Sequence, residues 1–474
     1  MPELLSISSQ RTFRDPAGSI EIRPDGAYRH VHPSYAEEIL AFLDLPLTTQ
    51  LVDADRLIAT QILERPDPHH PDPEPLLLLH PRVSFPSYPW EWSPALWLSA
   101  AELTLTLCID LLKQGWMLKD ATPLNVLFQG TQPIFVDLLS IQRADLTQPI
   151  WLAYGQFVRT FLLPMLAHAR LGWPLQTTLT RRDGIEPEDL YAALPWTQRL
   201  QRPVLSAVTL PVLLSKTAKS STASSASPSR AAQDPEIVRQ VLLKTLSGLL
   251  TQMRRVAPSQ RDSNWSEYVH TANHYSPEDH AAKRSFVTTA LAAAQPSRAL
   301  DVGCNTGVYS RLAADAGAQV VSIDTDLQAV DRLCTNLQGT PHSRAIQPLC
   351  VNLAHPTPAT GWQNREYASF ISRCEGHFDT VLMLAVLHHL LLQSQIPLDH
   401  IATLCSTLTT RHLILEWVPP TDPMFQQLLR GREAIYTHLT EAAFREAFAS
   451  HFTILRETTL PNQRILFHFT KNTG

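Results

Sequence analysis

Asp301, Gly303, Asn305 and Gly307 alternate along one short stretch, and Asp324 follows 21 residues after Gly303. Glycines in such a turn let a ligand come close to the backbone, and an acid about 20 residues on can take ribose hydroxyls. Asn305 stands where a dinucleotide pattern carries its second glycine. Asn tolerates left-handed backbone better than most residues, so the turn keeps its shape. Asn352 follows a third apolar run, and its amide can hold an adenine edge through two bonds. It reads equally as a turn residue ahead of His355 and Pro356. Residues 378–390 form an apolar run that ends in His388 and His389. A His of near-neutral pKa can take a proton from a hydroxyl or amine, so both are candidate bases, with His388 ahead of His389. The structural alternative is that they cap the next helix or pack beside the ligand. Glu416 ends a fifth apolar run and is expected either to bind substrate or to pair with Arg365 or Arg373.

These residues need elements that bring them to one edge. Apolar runs at 299–302, 319–323, 345–351, 378–384 and 412–418 alternate with helical stretches, and two β-rich runs, 452–460 and 464–470, close the chain. The expected fold is α/β, a doubly wound (Rossmann-like) seven-stranded sheet whose terminal hairpin inserts the last strand antiparallel. In such sheets ligands gather at the carboxyl ends of the strands. Residues 214–236 are rich in Ser and Ala without apolar periodicity and read as a flexible linker. The expected domains are therefore 1–213, a linker over 214–236, a helical lead-in over 237–296 and a nucleotide domain over 297–474.

Asp301-x-Gly303-x-Asn305-x-Gly307 resembles motif I of the class I S-adenosylmethionine (SAM) methyltransferases. Residues 265–268, 361–366, 378–390, 416–422 and 432–436 together resemble a bacterial group within them, similar to the host-specific nodulation methyltransferases, which carries an extra N-terminal region. The resemblance spans most of the chain apart from the linker. It implies methyl transfer from SAM to an acceptor that is a small molecule or glycan-like, at oxygen or nitrogen. The candidate cofactor set is Asp301, Gly303, Cys304, Asn305, Gly307, Asp324, Asn352 and Leu384; the candidate catalytic set is His388, His389 and Glu416. Asn305 and Asn352 depart from the commoner glycine and acid without threatening cofactor binding.

In the N-terminal half, Asp120 and Asn125 have the offset of a kinase catalytic loop, and Asp137 stands where a second metal-binding Asp would be. This region resembles an α+β kinase-like domain. No lysine precedes Lys113, and only Gly18 and Gly26 precede Gly115, so the phosphate-binding lysine and glycine loop are missing. A non-catalytic scaffold that recognises the acceptor is expected, with a β-hairpin bearing polar turn residues as the plainer alternative; the other readings are a bifunctional protein whose N-terminal half is ATP- and magnesium-dependent, and a SAM-binding scaffold without catalysis.

A net charge of −5 gives no electrostatic reason to expect nucleic acid as a partner. The six cysteines form no C-x-x-C pair, which points to reduced thiols in a cytoplasmic protein and to no zinc site. Neither a signal peptide nor a membrane partner is expected; the most apolar stretch, 94–113, contains Glu102 and Asp110 and suits a buried helix.

Overall fold

The computed structural model describes residues 12–66, 74–220, 234–257 and 275–472. The chain divides into two compact units. The first is Met1–Trp90, Pro94–Phe128 and Pro133–Pro258; the second is Glu91–Ser93, Gln129–Gln132 and Ser259–Gly474.

In the first unit, β1 (Gly18–Arg23), β2 (Gly26–Val31), β3 (Gln61–Glu64) and β4 (Leu76–His80) form an antiparallel sheet in the order β1-β2-β4-β3. Short strands follow: β5 (Trp116–Leu118), β6 (Val126–Gln129), β7 (Gln132–Phe135) and β8 (Ile141–Arg143), paired β5 with β8 and β6 with β7. The helix Pro94–Lys113 is long and apolar enough to cross a membrane by length and composition. Here it is a core helix, with Leu96, Trp97, Leu105, Cys108 and Leu112 buried and the helix Pro235–Val256 against it.

Two boundaries differ from the sequence reading. The expected linker is helical as far as Ser220, within Leu210–Ser220, because its opening residues include Ala and Lys, which favour helix. Residues 221–233 lie outside the described residues. The first helix of the expected lead-in, Pro235–Val256, falls in the first unit. Its apolar stripe of Val238, Leu242, Leu246, Leu249 and Met253 is buried, and a stripe of that kind needs a partner surface.

The second unit holds the seven-stranded sheet. β9 (Arg298–Val302), β10 (Gln319–Asp324), β11 (Ile346–Cys350), β12 (Phe378–Met383) and β13 (Thr409–Trp417) run parallel; β14 (Phe452–Thr459) and β15 (Ile465–Lys471) complete it. The order is β11-β10-β9-β12-β13-β15-β14, with β15 antiparallel to both neighbours. Strands covered on both faces read as unbroken apolar runs, and all six residues of β12 are buried. The helix Pro277–Ala294 starts with Pro at its first turn and a reciprocal Ser276–Asp279 capping box. Strand order reverses between β9 and β12, so the crevice at their carboxyl ends is the place for a ligand.

Candidate functional site

After β9 the chain turns through Gly303 (φ +72°), Asn305 (φ +48°) and Gly307 (φ +80°) into the helix Val308–Asp315. Left-handed backbone at alternate residues accounts for the composition: glycine twice, and once the tolerant Asn. A Cβ on Gly303 would stand 2.3 Å from Val386 Cγ2, and one on Gly307 2.4 Å from Leu333 Cδ1. The N–H groups of Gly303 and Cys304 both donate to the Ile323 carbonyl. The Asn305 N–H donates to Asp324 Oδ2 at 2.8 Å and the Asp326 N–H to Asp324 Oδ1 at 2.9 Å. Asp324 thus ties the turn to the loop after β10, and each of its oxygens keeps further acceptor capacity. Burial raises its pKa while those backbone donors oppose the rise. Asp301 is fully buried behind the turn, accepts from Ser310 Oγ at 2.6 Å, and is pushed by burial up to about 6.

The turn forms one side of a cavity of about 800 Å³. Ile323, Val351, Leu353 and Leu384 give it an apolar wall, and Asp301, Gly303, Cys304, Asn305, Asp324 and Asn352 lie on it too. His280, Arg284, His389 and Gln393 are among its other polar groups. Gly307 is not on the cavity wall and serves the turn from beneath. The Asn352 Oδ1 accepts the Ala354 N–H at 2.9 Å, which is the turn role; its amide nitrogen remains a donor at the cavity.

The histidines do not end the fourth strand, as the sequence suggested. β12 stops at Met383, Ala385 is left-handed at φ +58°, and both sit in the helix Leu387–Leu392. One lines the cavity: His389, whose Nδ1 lies 3.0 Å from Gln393 Oε1. His388 is buried and off the cavity, and its Nδ1 has no hydrogen-bond partner. Burial lowers the pKa of both rings, further for His388. Glu416 pairs with neither Arg365 nor Arg373. It is fully buried, 2.6 Å from Lys283 Nζ and 3.5 Å from Arg464 Nη1, while Arg373 pairs with Glu91. Burial alone would raise the Glu416 pKa; Lys283 and Arg464 overcome it and hold the carboxyl low.

Tyr275, Lys283 and Tyr309 also line the cavity, and the sequence reading missed all three. A signal existed for Lys283: it shares one helix face with Asp279, Phe286, Val287, Ala290 and Leu291, so a lysine stands in an otherwise mainly apolar stripe. Residues 265–268 lie outside the described residues.

In the first unit, Asp120, Asn125 and Asp137 do come near one another, but around a cation. The buried Arg29 places Nη1 3.2 Å from Asp137 Oδ1 and donates to the Val136 carbonyl and His80 Nε2. The other Asp137 oxygen accepts from Ser140 Oγ, which in turn accepts from Asn125 Nδ2 at 3.1 Å. Asp120 is bonded to Gln156 at 3.4 Å, and burial, then Asp137, raises its pKa.

Residues 273–450 match the family described as a methyltransferase domain. Over 475 aligned positions the chain is 28% identical to nodulation protein NoeA of Rhizobium meliloti (strain 1021), covering 97% of this chain and 95% of that one. Among solved structures, the N-methyltransferase NodS of Bradyrhizobium japonicum WM9 is 13% identical, covers 42% of this chain and 98% of its own, and has a TM-score of 0.30. The magnesium protoporphyrin IX methyltransferase of Synechocystis PCC 6803 with bound SAH is 19% identical, covers 48% and 95%, and has a TM-score of 0.31. The sheet order, the glycine turn and the acid after the second parallel strand agree with the family match: residues 273–450 form a SAM-dependent methyltransferase domain, and the chain as a whole is similar to the nodulation protein.

Proposed function

We propose that the second unit transfers a methyl group from SAM to an oxygen or nitrogen of a small-molecule or glycan-like acceptor. The observation that carries this is the cavity at the β9–β12 crevice, where a left-handed turn and Asp324 stand together. The donor set fits SAM. Asp324 has acceptor capacity for two ribose hydroxyls, the Asn352 amide nitrogen can donate to an adenine ring nitrogen, and Ile323, Val351 and Leu353 suit a planar base. Lys283 and Arg284 are the cations on the wall that can meet a carboxylate. SAM supplies a methyl group on a positively charged sulfur.

The protein's share is to align the acceptor and, for a hydroxyl or amine, to take its proton. Of the three candidate bases, His389 is the one on the cavity, and its lowered pKa keeps it neutral near pH 7, ready to accept. A bond to Gln393 Oε1 makes Nδ1 the protonated nitrogen of that ring.

We read the first unit as an acceptor-recognising scaffold rather than a phosphotransferase, because Arg29 already neutralises Asp137 where a metal would be needed. Isothermal titration of the full chain tests both halves. Saturable SAM binding, strongly weakened in Asp324→Ala, is expected, with no magnesium-dependent ATP binding. A wild-type protein that takes up no SAM refutes the methyltransferase assignment. Labelled SAM added to small-molecule and glycan extracts then identifies the acceptor as the fraction that gains label.

A further inference from the structure

Behind the cavity wall lies a buried cluster of two cations and two carboxylates: Lys283, Arg464, Glu416 and Asp422. Its formal charges cancel, as a desolvated cluster requires, and Glu416 Oε2 is met by the Lys283 ammonium as an ion pair. At its centre is the Tyr275 hydroxyl. A phenol has one proton to donate and two lone pairs. Tyr275 Oη donates to Glu416 Oε1 at 2.5 Å and accepts from Arg464 Nη1 at 2.5 Å and from Lys283 Nζ at 3.3 Å. Arg464 Nε and Nη2 go to the two oxygens of Asp422, at 2.8 and 3.2 Å.

That arrangement leaves neither Glu416 nor the Tyr275 hydroxyl able to serve the acceptor as a base. Every valence of the phenol oxygen is used. Glu416 is fully enclosed, off the cavity, and weakened as a base by two adjacent cations. Lys283 differs. It lines the cavity, its ammonium lies 4.9 Å from the Tyr275 ring centroid and 5.1 Å from that of Tyr309, and both rings line the cavity as well. Two of its three N–H donors meet Glu416 and Tyr275. The third is the one a cavity occupant can take.

We propose that Glu416, Arg464 and the Tyr275 hydroxyl are positioning residues of the methyl-transfer site. What they position is the Lys283 ammonium, set at the cavity wall to bind an oxyanion. The inference rests on reading the cavity as the SAM site. A carboxylate could belong to the amino-acid end of SAM or to an acidic acceptor, and the two sources are separable with a ligand that lacks that end.

The test is isothermal titration of the full-length wild type, Glu416→Gln and Tyr275→Phe with SAM and with 5′-methylthioadenosine, which keeps the nucleoside and lacks the carboxylate. The expected result is at least tenfold weaker SAM binding in both variants, with methylthioadenosine changed less than threefold. Equal weakening of both ligands would mean that the cluster merely supports the wall and would overturn the proposal. Unchanged binding of SAM overturns it for the cofactor carboxylate and, if the variants transfer methyl to every acidic acceptor as wild type does, entirely. Should Glu416→Gln fail to fold, Tyr275→Phe, which keeps the ring and every charge, carries the comparison. Wild type that binds neither ligand refutes the cavity assignment instead.

Discussion

Asp137 and Asp324 hold matching sequence positions, each closing an apolar run where an acid could serve a nucleotide, yet their surroundings give them opposite fates. Asp137 faces a buried guanidinium, and its second oxygen is taken by a hydroxyl. Its charge is cancelled and its geometry closed. Asp324 is held by backbone N–H groups, that of Asn305 on one oxygen and that of Asp326 on the other. Amide dipoles fix a carboxylate without cancelling it, and they leave lone pairs for a ligand. Spacing locates an acid; the identity of its donors decides whether it is available.

That contrast can be broken by mutation. The largest effect is expected at Asp137→Ala, which strips the buried Arg29 of its carboxylate and should destabilise the chain by roughly 3 to 4 kcal/mol in urea unfolding. SAM affinity should not change, and the double variant Arg29→Met/Asp137→Leu should recover much of the loss. Asp324→Ala should act the other way round. It should weaken SAM binding about a hundredfold, ~2.8 kcal/mol, in calorimetry. If the Asp137 variant weakens SAM as strongly as the Asp324 variant does, the contrast collapses.

Asp301 offers a third environment, with burial and a single hydroxyl partner, and its pKa rises from 3.8 to about 6. A carboxyl raised on folding binds its proton more tightly folded than unfolded. Its stabilisation is complete below about pH 4 and is lost as pH climbs through about 6. Asp301→Asn should remove that dependence, so the variant should gain roughly 2 to 3 kcal/mol relative to wild type between pH 4 and pH 7, read by urea unfolding at each pH. The smallest effect is expected at Asn352→Ala, five- to tenfold weaker SAM binding, ~1 kcal/mol. No change there would leave Asn352 as the turn residue its Ala354 bond already makes it.

The sheet was legible because β9 to β13 are buried on both faces and read as plain apolar runs, and the terminal hairpin was marked by its turn. Gly303, Asn305 and Gly307 could be identified because left-handed backbone restricts residue choice. The histidines were misplaced because nothing in a run such as 378–390 marks where strand stops and helix begins; the break falls at Ala385, whose left-handed backbone its side chain does not announce. Glu416 was found but its partners were not, since Lys283 and Arg464 lie 133 residues before it and 48 after it. Such pairings are set by the strand order, which places β15 against β13. The Ser/Ala-rich stretch was assigned to the linker from its first residue because composition gives no helix end.

The span of the cavity wall has a consequence for how the protein is made. Among the described residues, those that line the cavity lie between Tyr275 and Ser394, but Glu416, Asp422 and Arg464, which tie Tyr275 and Lys283 in place, come later. Chains are synthesised from the N-terminus, and domains fold as units once their parts have emerged. A ribosome therefore delivers the whole binding surface well before the residues that fasten it. Competence to hold SAM should arrive abruptly, with the last strand, rather than grow as the chain lengthens.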